Sequence, residues 1–134
     1  MIVADASWII ALRDPGDPHH RAAVTLNNAT VDEVIVLHPV TFAECLVGPA
    51  KLGRLDDAAS ATRAAFAIVE VDADAPLRWA RLRAATSLRL PDVIVLDTAL
   101  VHAATSILTF DQALAVEATA RSIASPATDD SGTT

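Results

Sequence analysis

Short apolar runs alternate along the chain with longer segments in which apolar residues recur at helical spacing. The short runs are rich in β-branched residues and have no polar face, which is typical of strands buried on both sides of a parallel sheet. They predict strands at Met1–Ala4, Val34–Leu37, Ala67–Val71 and Ser106–Thr109, with a weak edge strand at Ala120–Ile123. The segments between them predict helices, at Ser7–Arg13, Pro18–Asn28, Thr41–Val47, Ala50–Arg63, Ala75–Ser87, Asp92–Ala103 and Gln112–Ala118. This alternation predicts an α/β fold with a mostly parallel central sheet of four to five strands flanked by helices.

Length and composition are those of a single small domain. The chain has 134 residues, of which 52% are hydrophobic, yet its apolar runs are shorter than the roughly 20 residues that span a bilayer. The N-terminus lacks a basic lead and a small-residue cleavage site, and the single Cys45 fits a reducing compartment. We therefore expect a cytoplasmic domain over residues 1–124. Residues 125–134 are mostly Pro, Thr, Asp, Ser and Gly without apolar periodicity, which predicts a disordered C-terminal tail.

Four carboxylates occur where a predicted strand gives way to a helix or where a helix begins. Asp5 follows the first strand, Glu44 lies beyond the second strand after Pro39, Asp92 opens the most apolar helix and Asp111 follows the strand at 106–109. In an open parallel sheet such positions converge on one crevice at the carboxyl ends of the strands. Close carboxylates repel one another unless a cation is present. A hard divalent cation such as Mg²⁺ would resolve that repulsion.

Each acid also has a structural interpretation. Asp5 and Asp111 occupy positions where helix N-caps belong. The residues from Thr41 to Glu44 form a capping-box sequence, and Asp92 after Pro91 could be a first-turn carboxylate favoured by the helix dipole. The combination of four such acids beside buried elements nevertheless favours a metal site.

The charge of the chain limits how it could bind nucleic acid. The formal net charge is −7, which argues against recognition through a basic surface unless bound cations reverse the local potential. Two arginines one turn apart on a predicted helix, Arg78 and Arg81, are either part of a solvated face or a patch that steers RNA phosphates. With two Trp, three Phe and no Tyr, base stacking on an aromatic platform is not expected.

The motifs around the four acids resemble those of PIN domains, and most closely those of VapC-type toxin ribonucleases. They are Asp5-Ala6-Ser7 after the first strand, Glu44 early in the third helix, Leu90-Pro91-Asp92 before an apolar helix that contains Thr98-Ala99, and Thr109-Phe110-Asp111 after a short strand. The resemblance covers about residues 1–120. It implies a single PIN-like domain.

The resemblance also implies an activity. Asp5, Glu44, Asp92 and Asp111 would be the catalytic residues and would hold one or two Mg²⁺ or Mn²⁺ ions, with the hydroxyls of Ser7 and Thr109 supporting the site. Metal-activated water would hydrolyse RNA phosphodiester bonds without a side-chain nucleophile. The resemblance further implies a cognate antitoxin protein and a homodimer.

One residue departs from the family pattern. Asp97 lies inside the apolar helix, where PIN domains usually have a small apolar residue, and it is rotated about 140° from Asp92. It could pair with an arginine, face a dimer contact or enlarge the metal site.

Two other classes of protein also merit comparison. A phosphoacceptor α/β domain gathers aspartates around Mg²⁺ but relies on a late lysine, and the only lysine here is Lys51. Its phosphatase form also needs a second acid where this chain has Ser7. The stronger alternative is a catalytically inactive PIN-like interaction module, because a fold alone does not prove activity.

Overall fold

A four-stranded parallel sheet forms the centre of the molecule, which the computed structural model describes over residues 1–127. Its strands are β1 (Ile2–Ala4), β2 (Ile35–Leu37), β3 (Ala67–Ile68) and β4 (Ser106–Leu108), in the spatial order β3-β2-β1-β4. In the register, Ile2 lies opposite both Ile35 and Ser106. The predicted mostly parallel α/β fold is thereby confirmed.

Helices cover both faces of the sheet. They are α1 (Ala6–Arg13), α2 (His20–Ala29), α3 (Pro39–Lys51), α4 (Leu55–Ala65), α5 (Ala75–Ala85), α6 (Leu90–Val101) and α7 (Gln112–Ala120).

Alternation along the strands divides the core in two. Ile2 and Ala4 of β1 point into a cluster with Trp8 and Ile9 of α1, whereas Val3 points into a second cluster built largely from α6 and α7. This follows from the period of two along a strand, which sends successive side chains to opposite faces. Strands β1 and β2 are therefore buried on both sides, and the carboxyl ends of the parallel strands lie at one common edge of the sheet.

Helix α3 differs from its predicted form at both ends. The sequence predicts a helix over Thr41–Val47 that opens with a capping box at Thr41, but the helix begins at Pro39 after the N-cap His38 and continues through Pro49 to Lys51. Both predictions are wrong. Pro39 suits the first turn because the amide that proline lacks has no helical partner there. The chain leaves the helix at Gly53, whose φ of +72° is readily available only to glycine.

The last elements also depart from the predicted boundaries. Helix α7 continues to Ala120, and in place of the edge strand at 120–123 Ala124 forms one isolated parallel bridge with Ser106. Ser125 and Ala127, which lie in the predicted tail, are both buried. Ala127 belongs to the core cluster on the α1 side of the sheet. The rest of that predicted tail, residues 128–134, lies outside the described residues. Within residues 1–127, no helix has the length and apolar character needed to cross a membrane.

Candidate active site

The four predicted acids come from four different places along the chain and approach the carboxyl edge of the sheet. Asp5 is the N-cap residue of α1 directly after β1, and Asp111 is the N-cap residue of α7 after β4. Asp92 lies in the first turn of α6 and Glu44 in the second turn of α3. The strand ends therefore position two of the acids, and the beginnings of helices position the other two.

The acids influence one another's ionisation. Burial, followed by the charges of Asp5 and Asp92, raises the pKa of Glu44 above its ordinary value. Burial, followed by the charges of Asp111 and Asp5, raises the pKa of Asp92 to about 6, although Arg89 opposes this. Carboxylates raise each other's pKa in this way only when they are near enough for their charges to interact. The structure thus brings all four acids into one electrostatic environment.

Two hydroxyl groups hold the carboxylate of Asp5. Its Oδ2 atom accepts hydrogen bonds from Ser7 Oγ and Thr109 Oγ1, both at 2.8 Å, and the residue is only 8% exposed. The backbone amides of Phe110 and Asp111 donate in turn to Ser7 Oγ and Thr109 Oγ1, each at 3.0 Å. Asp5 makes no side-chain capping bond to α1. Its carboxylate is instead part of a network that joins the end of β1 to the end of β4.

Asp111 caps its helix, as its structural interpretation predicts. Its Oδ1 atom accepts a hydrogen bond from the Leu114 amide at 2.9 Å. This cap uses one carboxylate oxygen of the two, so capping and ligand binding are compatible at Asp111.

Glu44 has no capping role. The N-cap of α3 is His38, whose Nδ1 accepts the hydrogen bond of the Val40 amide at 3.0 Å. Thr41 lies inside the helix, and its buried hydroxyl has no hydrogen-bond partner within the described chain. The capping-box interpretation of Glu44 is therefore wrong. The half-buried carboxylate faces Asp5 and Asp92 instead.

The chemistry of these donors fits a hard divalent cation. All four groups offer carboxylate oxygens, the ligands that Mg²⁺ and similar ions prefer, and the raised pKa values of Glu44 and Asp92 show that their negative charges are incompletely compensated. As placed, however, no three His, Cys, Asp or Glu side chains of residues 1–127 are close enough to enclose an ion. The residues thus fit a cation in donor type and charge, but within residues 1–127 the carboxylates are too far from one another to surround an ion as they are placed.

Asp97 belongs to a separate network. Arg78 donates to its two carboxylate oxygens at 2.9 and 3.1 Å, and Trp79 Nε1 donates to Oδ2 at 3.0 Å. Arg78 also binds both oxygens of Asp72, at 2.7 and 2.8 Å. Three roles were open for Asp97, and these contacts match the first of them, pairing with an arginine. Two carboxylates balance the charge of Arg78, whereas Arg81 is exposed on α5 beside Leu100 and Val101.

Two features of the site were not predicted from the sequence. Arg89 precedes α6 as its N-cap residue, and its charge acts on Asp92. The ring of His19 stacks on that of Phe110, with centroids 4.3 Å apart and planes inclined by 11°. Arg89 could have been found from its position three residues before Asp92. The stack joins positions 91 residues apart in the sequence and carries no local signal.

An open groove begins beside Glu44. It has a volume of about 660 Å³ and lies between α1, α3 and the start of α4. Apolar side chains make up most of its lining, and Ile10 and Leu52 are exposed to 45% and 73%. The lining includes Ile9, Ile10, Arg13, Glu44, Cys45 and Leu52.

Comparison with known proteins agrees with this architecture. One solved structure, of a toxin–antitoxin complex from Klebsiella pneumoniae, superimposes with a TM-score of 0.72 at 26% identity, covering 86% of this chain and 91% of that chain. Another, of VapC20 from Mycobacterium tuberculosis, a toxin that cleaves the sarcin–ricin loop, gives a TM-score of 0.73 at 18% identity, with 87% and 95% covered. A search of curated proteins gives no match. The sequence matches the PIN domain family over residues 2–118, so the chain belongs to that family.

Proposed function

We propose that this chain is a Mg²⁺- or Mn²⁺-dependent endoribonuclease and the toxin of a toxin–antitoxin pair. The observation that carries the proposal is the electrostatic coupling of four carboxylates from separate elements at one edge of the sheet. Membership of the PIN domain family supports it. So does the likeness to a chain of a toxin–antitoxin complex at 26% identity.

In this proposal Asp5, Glu44, Asp92 and Asp111 hold one or two divalent ions. When bound, such ions supply an acidified water molecule and neutralise charge on the attacking and leaving oxygens of a phosphodiester. Ser7 and Thr109 keep the Asp5 carboxylate in one orientation through their 2.8 Å hydrogen bonds.

No side-chain nucleophile is part of the mechanism. The single thiol of the chain is that of Cys45, next to Glu44 in the sequence, and burial raises its pKa to about 11. The thiolate, which is the reactive form, is therefore scarce at neutral pH. Arg89, whose charge already acts on Asp92, is suited to contact an RNA phosphate, and Arg81 offers a second exposed cation on α5. Arg78 contributes less to such steering because Asp72 and Asp97 bind it.

The direct test is cleavage of a mixed RNA pool by the purified chain in Mg²⁺ or Mn²⁺, with the cut ends mapped. Hydrolysis by activated water leaves 5′-phosphate and 3′-hydroxyl ends, and EDTA should stop it. Asp92→Asn should abolish cleavage, while the matched surface change Asp32→Asn should not. Cleavage that persists in EDTA, or ends that carry 2′,3′-cyclic phosphates, would refute the proposal.

The alternative is a catalytically inactive PIN-like interaction module. It predicts a folded chain that binds a partner, cleaves no RNA with either metal and is harmless when expressed. The toxin proposal predicts that expression arrests growth and that Asp92→Asn relieves the arrest. The presence of all four carboxylates favours activity.

The proposed partner is an antitoxin that closes the site. We propose that it occupies the apolar groove beside Glu44 and inserts an arginine or lysine among the acids, where a charge-assisted ion pair is strong. Co-expression of the adjacent reading frame should then restore growth. Ile10→Asp changes an exposed residue of the groove wall that is not one of the four acids, so it should weaken that rescue and leave RNA cleavage intact. Rescue unaffected by Ile10→Asp would place the partner elsewhere.

We also propose that the protein acts in the cytoplasm as a homodimer. The exposed side chains of Leu100 and Val101 on α6 lie beside Leu82 of α5, and a second copy could cover this apolar surface. Sedimentation of the purified chain should give twice the monomer mass, and Leu100→Asp should shift it to the monomer. A monomeric parent chain would exclude this assembly.

A further inference from the structure

The loop that leads into α2 carries an aromatic ring to the edge of the acidic site. His19 is exposed and its ring stacks on Phe110, whose own ring is half-buried against the core. Phe110 lies between Thr109 and Asp111, and its amide donates to Ser7 Oγ, which in turn donates to Asp5. The stack is therefore one residue from a proposed metal ligand and is bonded to the network that holds another.

Several hydrogen bonds fix the position of His19. Its amide donates to Asp17 Oδ1 at 2.8 Å, and its carbonyl accepts from the Ala23 amide at 2.9 Å. The neighbouring ring of His20 is hydrogen-bonded to the Ala11 carbonyl at 2.8 Å, which ties the loop to α1. The backbone of His19 is thus held before any ligand arrives, and its ring lies with one face on Phe110 while the residue is exposed to solvent.

We propose that His19, supported by Phe110, is a stacking subsite for an unpaired RNA base next to the bond that is cut. This inference rests on the proposed ribonuclease function and adds to it a side chain that would contact a base beside the cut bond. Flat aromatic rings at the rim of a phosphate-processing site are suited to bases that are not paired, because every base has a π face. Bases within a duplex are already stacked and cannot occupy such a subsite.

This subsite changes the expectation drawn from composition. The scarcity of Trp, Tyr and Phe argued against base stacking, but that count leaves out histidine, whose imidazole also stacks on bases. One exposed histidine placed on one phenylalanine provides a two-ring platform that composition does not reveal. It also provides contact with RNA that does not depend on positive charge, which suits a chain with a net charge of −7.

Two substitutions separate a base platform from a simple anchor for the loop. His19→Leu keeps an apolar side chain over Phe110 but removes the flat ring, whereas His19→Phe keeps the ring. Binding is measured in a Glu44→Gln background, which is expected not to cleave, with a single-stranded oligoribonucleotide that contains 2-aminopurine. Stacking on a ring quenches the fluorescence of this base analogue. Cleavage of the same sequence is measured in the otherwise unchanged chain.

For a base platform, His19→Leu should raise Kd by about 5- to 100-fold and reduce the quenching, while His19→Phe stays within about threefold of the parent. In cleavage, His19→Leu should raise KM with little change in kcat. The melting temperature of both variants should remain close to that of the parent.

Equal RNA binding by His19→Leu and the parent would overturn the inference, as would equal weakening by both substitutions or no RNA binding at all. The proposed function fails separately. A chain that cleaves RNA normally with Leu at position 19 keeps its nuclease function and loses the subsite. A chain that binds and quenches RNA through His19 but never cleaves it keeps the subsite and loses the nuclease function.

Discussion

Asp92 offers the sharpest test of the electrostatic argument. Burial and the charges of Asp111 and Asp5 raise its pKa from 3.8 to about 6. At neutral pH the folded chain therefore carries an ionised carboxylate whose free energy would be lower in the unfolded chain. Asp92→Asn removes that charge and keeps nearly the same shape. We expect the variant to be more stable than the parent in the absence of metal and to be inactive on RNA.

The size of the effect follows from the pKa. The interval from 3.8 to about 6 corresponds to about 3 kcal/mol, at about 1.4 kcal/mol for each pH unit. Asp92 is only partly buried, and solvent screening reduces this upper bound to about 1–2 kcal/mol. For a domain of this length that is a rise of roughly 3–8 °C in melting temperature.

The dependence on pH has a definite sign. Because the pKa of Asp92 is higher in the folded chain than in the unfolded chain, its contribution favours folding fully below pH 3.8 and is lost as pH rises through about 6. The parent should therefore gain stability from Asp92 as pH falls from 7.5 to 5, and Asp92→Asn should not. The stability advantage of Asp92→Asn over the parent should therefore be smaller at pH 5 than at pH 7.5. Burial lowers the pKa of His38, which opposes folding in acid, but this effect is the same in both proteins.

The assay is thermal unfolding of parent and variant in EDTA at pH 7.5 and 5.0. Asp32→Asn serves as a control, since it removes the same charge from an exposed position outside the site. A loss of stability in Asp92→Asn, or a gain that is equal at both pH values, would refute the electrostatic argument. RNA cleavage by Asp92→Asn at the parent rate would refute the catalytic assignment.

Three further predictions concern the metal and two other parts of the fold. Mg²⁺ or Mn²⁺ at 100 times its Kd should stabilise the chain by about 2.7 kcal/mol, and an unchanged melting temperature at millimolar metal would count against the site. Asp97→Ala should cost about 2–3 kcal/mol, below the usual cost of breaking a buried ion pair because Arg78 keeps Asp72, yet the metal-induced rise in melting temperature should persist. His38→Ala should lower the free energy of unfolding by about 1 kcal/mol, because it removes the α3 cap. Thr41→Val should be neutral or stabilising, because the buried Thr41 hydroxyl has no hydrogen-bond partner within residues 1–127 to lose. Urea unfolding measures both, and a larger loss in Thr41→Val than in His38→Ala would support Thr41 as the cap.

The fold could be predicted from the sequence because its strands are marked locally. Ile2 to Ala4 and Ile35 to Leu37 are wholly apolar and wholly buried, as strands covered on both faces of a parallel sheet must be. The approach of the acids to one edge follows from topology alone, since parallel strands point the same way. Neither inference needs knowledge of a side-chain contact.

What could not be predicted depends on contacts between distant residues. The burial of His38 depends on the packing around the start of α3, although Pro39, whose fixed φ suits the first turn, is a local signal for a helix that begins there. The ion pair of Asp97 requires α5 to pack against α6, which brings Arg78 within 2.9 Å across 19 residues. The sequence indicates that Asp97 needs a partner, but three-dimensional packing selects it.

The four acids divide into two kinds, and this division separates their structural and chemical roles. Asp5 and Asp111 follow strands and are held by hydrogen bonds, the first from two hydroxyls and the second from the Leu114 amide. Glu44 and Asp92 project from helices and carry charge against burial and repulsion. Truncation of either kind removes one negative charge but should act oppositely on the metal-free fold.

Asp111→Ala loses a cap and should cost about 1 kcal/mol, whereas Glu44→Ala relieves repulsion and should be neutral or stabilising. Both should abolish RNA cleavage. Melting temperatures in EDTA measured beside cleavage rates in Mg²⁺ test this contrast. If both truncations lower stability by the same amount, both acids stabilise the fold, and the argument that repulsion destabilises the metal-free site fails. If they diverge as expected, part of the stability of the metal-free fold is given up to keep negative charge where a cation would bind.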